Sequence, residues 1–355
     1  MKFNYSMRQS SWLILLLGVL LAGVYGCVLQ DHRIPNPATL AAVPGPPVAS
    51  GLKAPIGISD DNKGNIWVTE AGSGTVNDGR VAVVTPSGAV FPVITGFVSA
   101  ISPEGSPEGL NHLLYRDGKL YILHSIDDKM FVADVSNFVP GVTAPIPASS
   151  LSFVDIGTFV KNARPNAPDP ADSNPYNLTF GPNGDIFIAD AGANAIVRVA
   201  KGTNALSIYA VFPDVPNPTY PGAPVGPPTI DAVPTSIVFD GTNFLVTTLV
   251  GFPFPTGKST IYQVSGSGAA PVTPTVYKTG FSGITDITFT PGGKTLITEF
   301  GFSTPGRVAS GDNSATTLFS PAITPVDIHL STVNADTYYL LYYGPGIIVK
   351  LNATN

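Results

Sequence analysis

Short apolar runs recur along the chain, each entered from a turn and closed by a polar or glycine position. They begin with NIWVTEAG at Asn65, KLYILHS at Lys119 and DIFIADAG at Asp185. They continue with NFLVTTLVG at Asn243, KTLITEFG at Lys294 and TYYLLYYG at Thr337. Runs of this length, rich in β-branched and aromatic residues and bounded by turn formers, predict strands. Each follows a strand opened by a Pro or Gly turn: PIGIS (Pro55), PEGLN (Pro107), PYNLTF (Pro175), PTSIVF (Pro234), GITDITF (Gly283) and PVDIHL (Pro325). Third strands begin at Gly79, Met130, Ala195, Ser259, Gly306 and Gly346, and fourth strands follow in the first five units, as in VFPVITGF (Val90) and TVYKTGF (Thr275).

The copies lie roughly 43 to 66 residues apart, room for four short strands and their loops. Six such units without helical interludes predict an all-β fold, a six-bladed β-propeller of four-stranded blades. The sixth unit ends after its third strand. Its missing outer strand is expected upstream at PPVASGL (Pro46 to Leu52), which echoes FPVITGF of the first unit. An N-terminal strand that completes the last blade would close the ring and cover a free sheet edge.

The segment before the repeats reads as an address. Lys2 and Arg8 precede an apolar stretch of 14 residues from Trp12 to Tyr25, the pattern of an export signal and short for a membrane span. Val24-Tyr25-Gly26-Cys27 resembles a bacterial lipobox, with the chain's one cysteine where acylation needs it. The expected layout is a signal over 1–26, a lipidated Cys27 as mature N-terminus, a Pro-rich tether over 27–45 and the propeller over 46–355. A plain secretory signal cleaved nearby is the alternative. One cysteine leaves no internal disulfide, so stability rests on packing.

Charge adds an exclusion. The formal charge is −6, charged residues make up 12% of the chain, and no basic run occurs. Such a surface repels phosphate backbones and argues against nucleic-acid binding. A monomer is expected, attached to a membrane through its lipid.

Two polar columns emerge when the repeats are aligned. The innermost strands carry Gly57, Gly109, Asn177, Ser236, Asp286 and Asp327 at one matched position. The second strands end in Glu70, His124, Asp190, Thr248, Glu299 and Tyr342. First and second strands run antiparallel, so both columns should ring one mouth of the channel. Two long Pro-rich connectors, Lys161 to Pro175 and Phe212 to Pro234, reach the same face, and loops on a rigid scaffold commonly carry function.

Oxygens of Asn177, Asp286 and Asp327, with Glu108 nearby, form a candidate Ca²⁺ site. The competing reading is that they hydrate the channel and cap strand ends. For acid–base chemistry the candidates are His124 and Glu299, with Glu70 and Asp190. A catalytic group is needed once and a turn former once per blade, so Glu70 and Asp190 read as turn formers and His124 as the odd member. His112 reads as packed, and His329 as pointing to a blade interface. No nucleophile-elbow, zincin or phosphate-loop motif is present.

The phrase GLKAPIGISDDNKGNIWVTEAGSGTVNDGRVAVVTPSG (Gly51 to Gly88) resembles the opening blade of the ScyD/ScyE-type secreted propeller proteins. Their wider relatives are the NHL-repeat and SMP-30/gluconolactonase-like six-bladed propellers. The resemblance spans about residues 48 to 351 and implies the fold and an exported bacterial protein, without catalytic residues. SMP-30-like enzymes place acidic and amide residues around a central divalent metal, some just after a proline that opens an innermost strand. In that slot only Glu108 is acidic here; the others are Ile56, Tyr176, Thr235, Thr285 and Val326. The expected function is therefore non-enzymatic binding of a ligand or envelope protein at the loop-rich face. The alternative is a Ca²⁺-dependent hydrolase of lactonase or esterase type.

Overall fold

A computed structural model describes residues 39–167, 171–222, 227–302 and 304–354. The signal segment, Cys27 and the first part of the tether lie outside these residues.

Six sheets form a six-bladed β-propeller; each blade has four antiparallel strands, and in blade 1 the short Ile146–Pro147 adds a parallel fifth. The innermost strands are Pro55–Asp60, Leu110–Arg116, Pro175–Phe180, Pro234–Phe239, Ile284–Phe289 and Pro325–Leu330, here the inner strands of blades 1 to 6. The second strands are Ile66–Glu70, Lys119–His124, Ile186–Asp190, Asn243–Thr248, Thr295–Glu299 and Thr337–Tyr342. Every inner-strand start pairs with the end of its second strand, as in Pro55 with Glu70 and Pro175 with Asp190. The face where inner strands begin is called the front, and the face where they end the back.

Blades are buried on both sides, so successive side chains of a strand serve different neighbours. In blade 2, Ile122 packs with Trp67 and Val81 of blade 1, while Leu123 packs with Ile188 and Val197 of blade 3. The same division recurs at each junction and gives six inter-blade cores. Between blades 6 and 1, Leu341 and Ile348 meet Val68 and Ala82, which closes the ring.

The closing strand differs in place from the expectation. Thr39–Ala42, within the segment read as tether, pairs antiparallel with Ile347–Thr354. The expected stretch Pro46 to Leu52 also runs along this strand but without a regular ladder: the Val48 and Leu52 amides donate to the Ile348 and Gly346 carbonyls, and the Ile348 amide to the Ala49 carbonyl. Prolines 44, 46 and 47 supply no amide donors and interrupt the ladder between the two contacts. A helix also appears where none was expected. Ile156–Ala163 follows the outer strand of blade 2, and its N-cap Asp155 accepts from the Thr158 amide.

All six inner strands carry a one-residue register shift just after their first position. This bulge turns the next polar position toward the channel. It also corrects the alignment of blade 2. Leu110 pairs with His124 and Leu113 with Ile122, so the blade 2 member of the channel column is His112, not Gly109. Pro107–Glu108 belongs to a separate two-stranded ribbon with Ala100–Ile101.

Candidate functional site

The acids of the exit column anchor the connector that enters each blade. Glu70, almost fully buried, takes Arg80 Nε at 2.6 Å and Arg80 Nη2 at 3.2 Å, and accepts the Lys53 amide at 2.8 Å. Glu299 repeats the arrangement with Arg307 Nε at 2.6 Å and the Ser282 amide at 3.0 Å. Asp190 accepts Ser173 Oγ and the Asn174 amide at 2.7 Å each, and the Ala193 amide at 3.1 Å. Burial still pushes the Asp190 carboxyl up to about 6.

His124 performs the same task in blade 2. Its Nδ1 accepts the Asp127 amide at 3.0 Å, which leaves Nε2 as the donor to the Val98 carbonyl at 3.0 Å. Burial lowers its basicity and favours this neutral tautomer. His124 and Glu299 therefore stay in separate blades, each bonded to the connector that enters its own blade.

The channel column is Gly57, His112, Asn177, Ser236, Asp286 and Asp327. Asp286 is its hub. Its Oδ1 accepts Ser236 Oγ at 2.6 Å and Asn177 Nδ2 at 3.2 Å, and its Oδ2 accepts the Ile328 amide at 3.0 Å. A fourth donor is the Asp327 carboxyl, whose proton is retained by burial and by the Asp286 charge beside it. Burial raises both carboxyls, Asp327 the more strongly, so the pair titrates as a unit and we assign the shared proton to Asp327. Four donors fill the acceptor capacity of the Asp286 carboxylate.

Asp327 Oδ2 in turn accepts the Ile58 amide at 2.7 Å. His112 lies 3.6 Å from the same oxygen through Nε2, which has no hydrogen-bond partner; its Nδ1 donates to the Tyr176 carbonyl at 3.0 Å. Burial lowers the His112 ring to about 4, so it is neutral at physiological pH. A Cβ at Gly57 would come within 2.6 Å of His112 Cα, so only glycine leaves room at that place in blade 1.

These bonds run from each inner strand to the next around the whole ring. The Tyr115 amide donating to Ser59 Oγ joins blades 1 and 2, and Asn111 Nδ2 donating to the Pro175 carbonyl joins blades 2 and 3. Asn177 to Ser236, Thr235 to the Ile284 carbonyl, Thr285 to the Pro325 carbonyl and Asp327 to Ile58 complete the circuit.

The four expected metal ligands do not assemble. Asn177 turns its amide nitrogen to the channel because its oxygen accepts the Leu178 amide at 2.7 Å. Asp286 is saturated and Asp327 bonds to it. Glu108 sits on the front-face ribbon and lines a different cavity. A hard cation needs several convergent oxygens, so these residues do not fit Ca²⁺. Among the described residues no cluster of three His, Cys, Asp or Glu is arranged for a metal.

Above the ring, the front mouth holds a cavity of about 300 Å³. Ile56, Leu110, Val326 and Leu249 give it apolar walls, with Tyr176, Tyr343, Phe300 and Phe302 beside them. Phe252, Phe254, Phe302 and Phe300 form a ladder at the rim, with Phe254 and Phe302 stacked at 4.2 Å. Glu104 and Glu108 also line the cavity, and neither makes a hydrogen bond or ion pair among the described residues. Burial, with the charges of Glu104 and Asp172, raises the Glu108 carboxyl above the usual range. Thus Glu108, offered as a metal ligand, is an unpaired acid facing an apolar pocket. His112, read as packed, belongs to the channel ring.

His112 was recoverable from sequence. Asp117-Gly118 is a two-residue hairpin signal, and counting back from it through a strand of ordinary length reaches His112 rather than Gly109.

No family profile and no curated protein matches the chain. Solved structures do. A luciferin-regenerating enzyme superposes with a TM-score of 0.55 at 10% identity, covering 88% of this chain and 94% of that one. A PQQ-bound aldose sugar dehydrogenase from Streptomyces coelicolor gives 0.53 at 14%, covering 90% and 99%. Regucalcin, a calcium-binding protein from Agrobacterium tumefaciens, gives 0.50 at 15%, covering 89% and 93%. At such identities the likeness is one of fold, and that fold is the six-bladed β-propeller.

Proposed function

We propose that this chain is an exported, lipid-anchored binding protein of the bacterial cell envelope, related in kind to the ScyD/ScyE-type propellers. Its ligand enters the front-face cavity. The observation that carries this reading is the contrast between two sets of polar groups. The acids of the channel and exit columns are bonded within the protein, while among the described residues Glu104 and Glu108 face the cavity without partners.

An unpaired acid beside an aromatic ladder suits an amphipathic cation, with its charge at Glu104 and Glu108 and its apolar part against Phe302 and Phe300. Volume limits it to a small molecule or one side chain of a larger partner. The Ca²⁺-dependent hydrolase has no ligand set at the ring, and its acid–base candidates His124 and Glu299 are engaged in separate blades.

Thermal-shift titration with aromatic and aliphatic amines, and with matched neutral alcohols, tests the reading. Amines should stabilise the protein more than the alcohols, and Glu108→Gln together with Phe302→Ala should remove the difference. Equal effects of amines and alcohols would count against it. The anchor has its own test: fatty-acid labelling should occur in the native protein and vanish in Cys27→Ala.

A further inference from the structure

The geometry points to a second ligand site on the back face, in the cleft between blades 2 and 3, for a small organic anion. The cleft encloses about 310 Å³. Arg116 ends the inner strand of blade 2 and Phe180 that of blade 3, which places the cleft at the far end of the channel from the front cavity.

Its charge sets it apart. In a chain of net charge −6, Arg116, Lys119 and Lys201 converge here with one acid, Asp117, in the lining; Asp134, across the strand from Lys119, and Asp185, bonded to the Lys201 amide and Arg198, lie outside it. The Arg116 guanidinium lies 4.2 Å over the Phe180 ring, and its contact to Asp117 is loose at 3.7 Å with that acid 93% exposed. Among the described residues neither ammonium of Lys119 or Lys201 forms an ion pair. The Phe180 contact holds the guanidinium against the ring, and its N–H donors suit a planar carboxylate or a phosphate. Between the cations, Tyr121, Ile186 and Val199 supply apolar wall.

The repeat provides an internal control. Blades 4 and 5 form the corresponding cleft, of about 340 Å³. Arg116 lies four residues beyond His112 of the ring, and the residue four beyond Ser236 is Asp240, which lines that cleft. Packing of this fold therefore makes a cleft with either sign of charge, and the cations of the blade 2–3 cleft are not required by the architecture. Mixed apolar wall and cationic rim suit a carboxylate or phosphate monoester carried on a hydrocarbon ring or short chain.

Calorimetric titration of the full chain, held in neutral detergent at low salt, with phenyl phosphate and inorganic phosphate tests the assignment. Phenyl phosphate should bind about tenfold more tightly than inorganic phosphate, since burying most of a ring on the apolar wall is worth that much or more. Lys119→Ala with Lys201→Ala should weaken it at least about tenfold, whereas Lys294→Ala in blade 5 should not. These lysines are exposed or at a hairpin, and an unchanged unfolding midpoint will confirm that the double variant folds. Equal affinity for the two phosphates, no binding at millimolar concentration, or binding indifferent to the double substitution would each overturn the site. A lipid source is separated by flotation with phosphatidylglycerol vesicles. Lysine-dependent capture by vesicles without phenyl phosphate binding would also overturn it.

Discussion

The channel ring and the front cavity are adjacent levels of one funnel, lined by successive residues of the same inner strands. Tyr176, Asn111 and Thr285 face the cavity, and Asn177, His112 and Asp286 form the ring one position later. Yet their polar chemistry is opposite. In the ring nearly every donor finds an acceptor on the neighbouring blade. In the cavity, among the described residues, two carboxyls have no hydrogen-bond or ion-pair partner. An array of acids in a propeller channel is thus no sign of a metal or a catalyst until its hydrogen bonds are traced. What distinguishes a site from a strut here is which lone pairs remain vacant.

Breaking the ring should have the largest effect. Asp286→Asn puts an amide N–H against donors from Ser236, Asn177 and Ile328, and should cost about 3 kcal/mol or more in denaturant unfolding. The exit column comes next. Arg80→Ala leaves the buried Glu70 with the Lys53 amide alone, at about 2 kcal/mol by the same measurement.

Asp327→Asn sharpens the comparison because the structure assigns that residue the proton. Its folded-state acidity is weaker than in the unfolded chain. The stabilisation from the protonated form is therefore complete below the ordinary Asp range and is lost as pH rises through the elevated folded value. An asparagine keeps a donor for Asp286 and an acceptor for the Ile58 amide without titrating. Its stability should change by less than about 1 kcal/mol near pH 4 and exceed that of the native protein at high pH. A fall comparable to Asp286→Asn at every pH would reverse the assignment within the pair. Smallest of all, Glu108→Gln should shift stability by less than about 0.5 kcal/mol. It should also remove the loss of amine binding on acidification, which begins at higher pH than for an ordinary glutamate because Glu108 is raised.

Much of this molecule could be read from its sequence, for physical reasons. Strands buried on both faces and separated by turn residues repeat visibly, so the six blades and the facing of the two columns were legible. Blade 2 was misaligned because Pro107-Glu108 imitates the proline opening of other blades, while the strand begins at Leu110 after an inserted ribbon. Closure at Thr39–Ala42 was missed because four residues among prolines carry little pattern, and the pairing partner lies at the other end of the chain. The ring's chemistry was hidden differently. Residue types reveal carboxylates and amides, but whether Asn177 offers oxygen or nitrogen depends on a backbone amide one residue away.

The ring acids hold the blades together through hydrogen bonds and not through a cation. Thermal unfolding of the native protein and of Asp286→Asn, each with millimolar Ca²⁺ and with chelator, tests it most directly. The native midpoint should be the same in both conditions, and that of the variant lower in both. A native midpoint raised by several degrees in Ca²⁺, with the rise absent from Asp286→Asn, would contradict it.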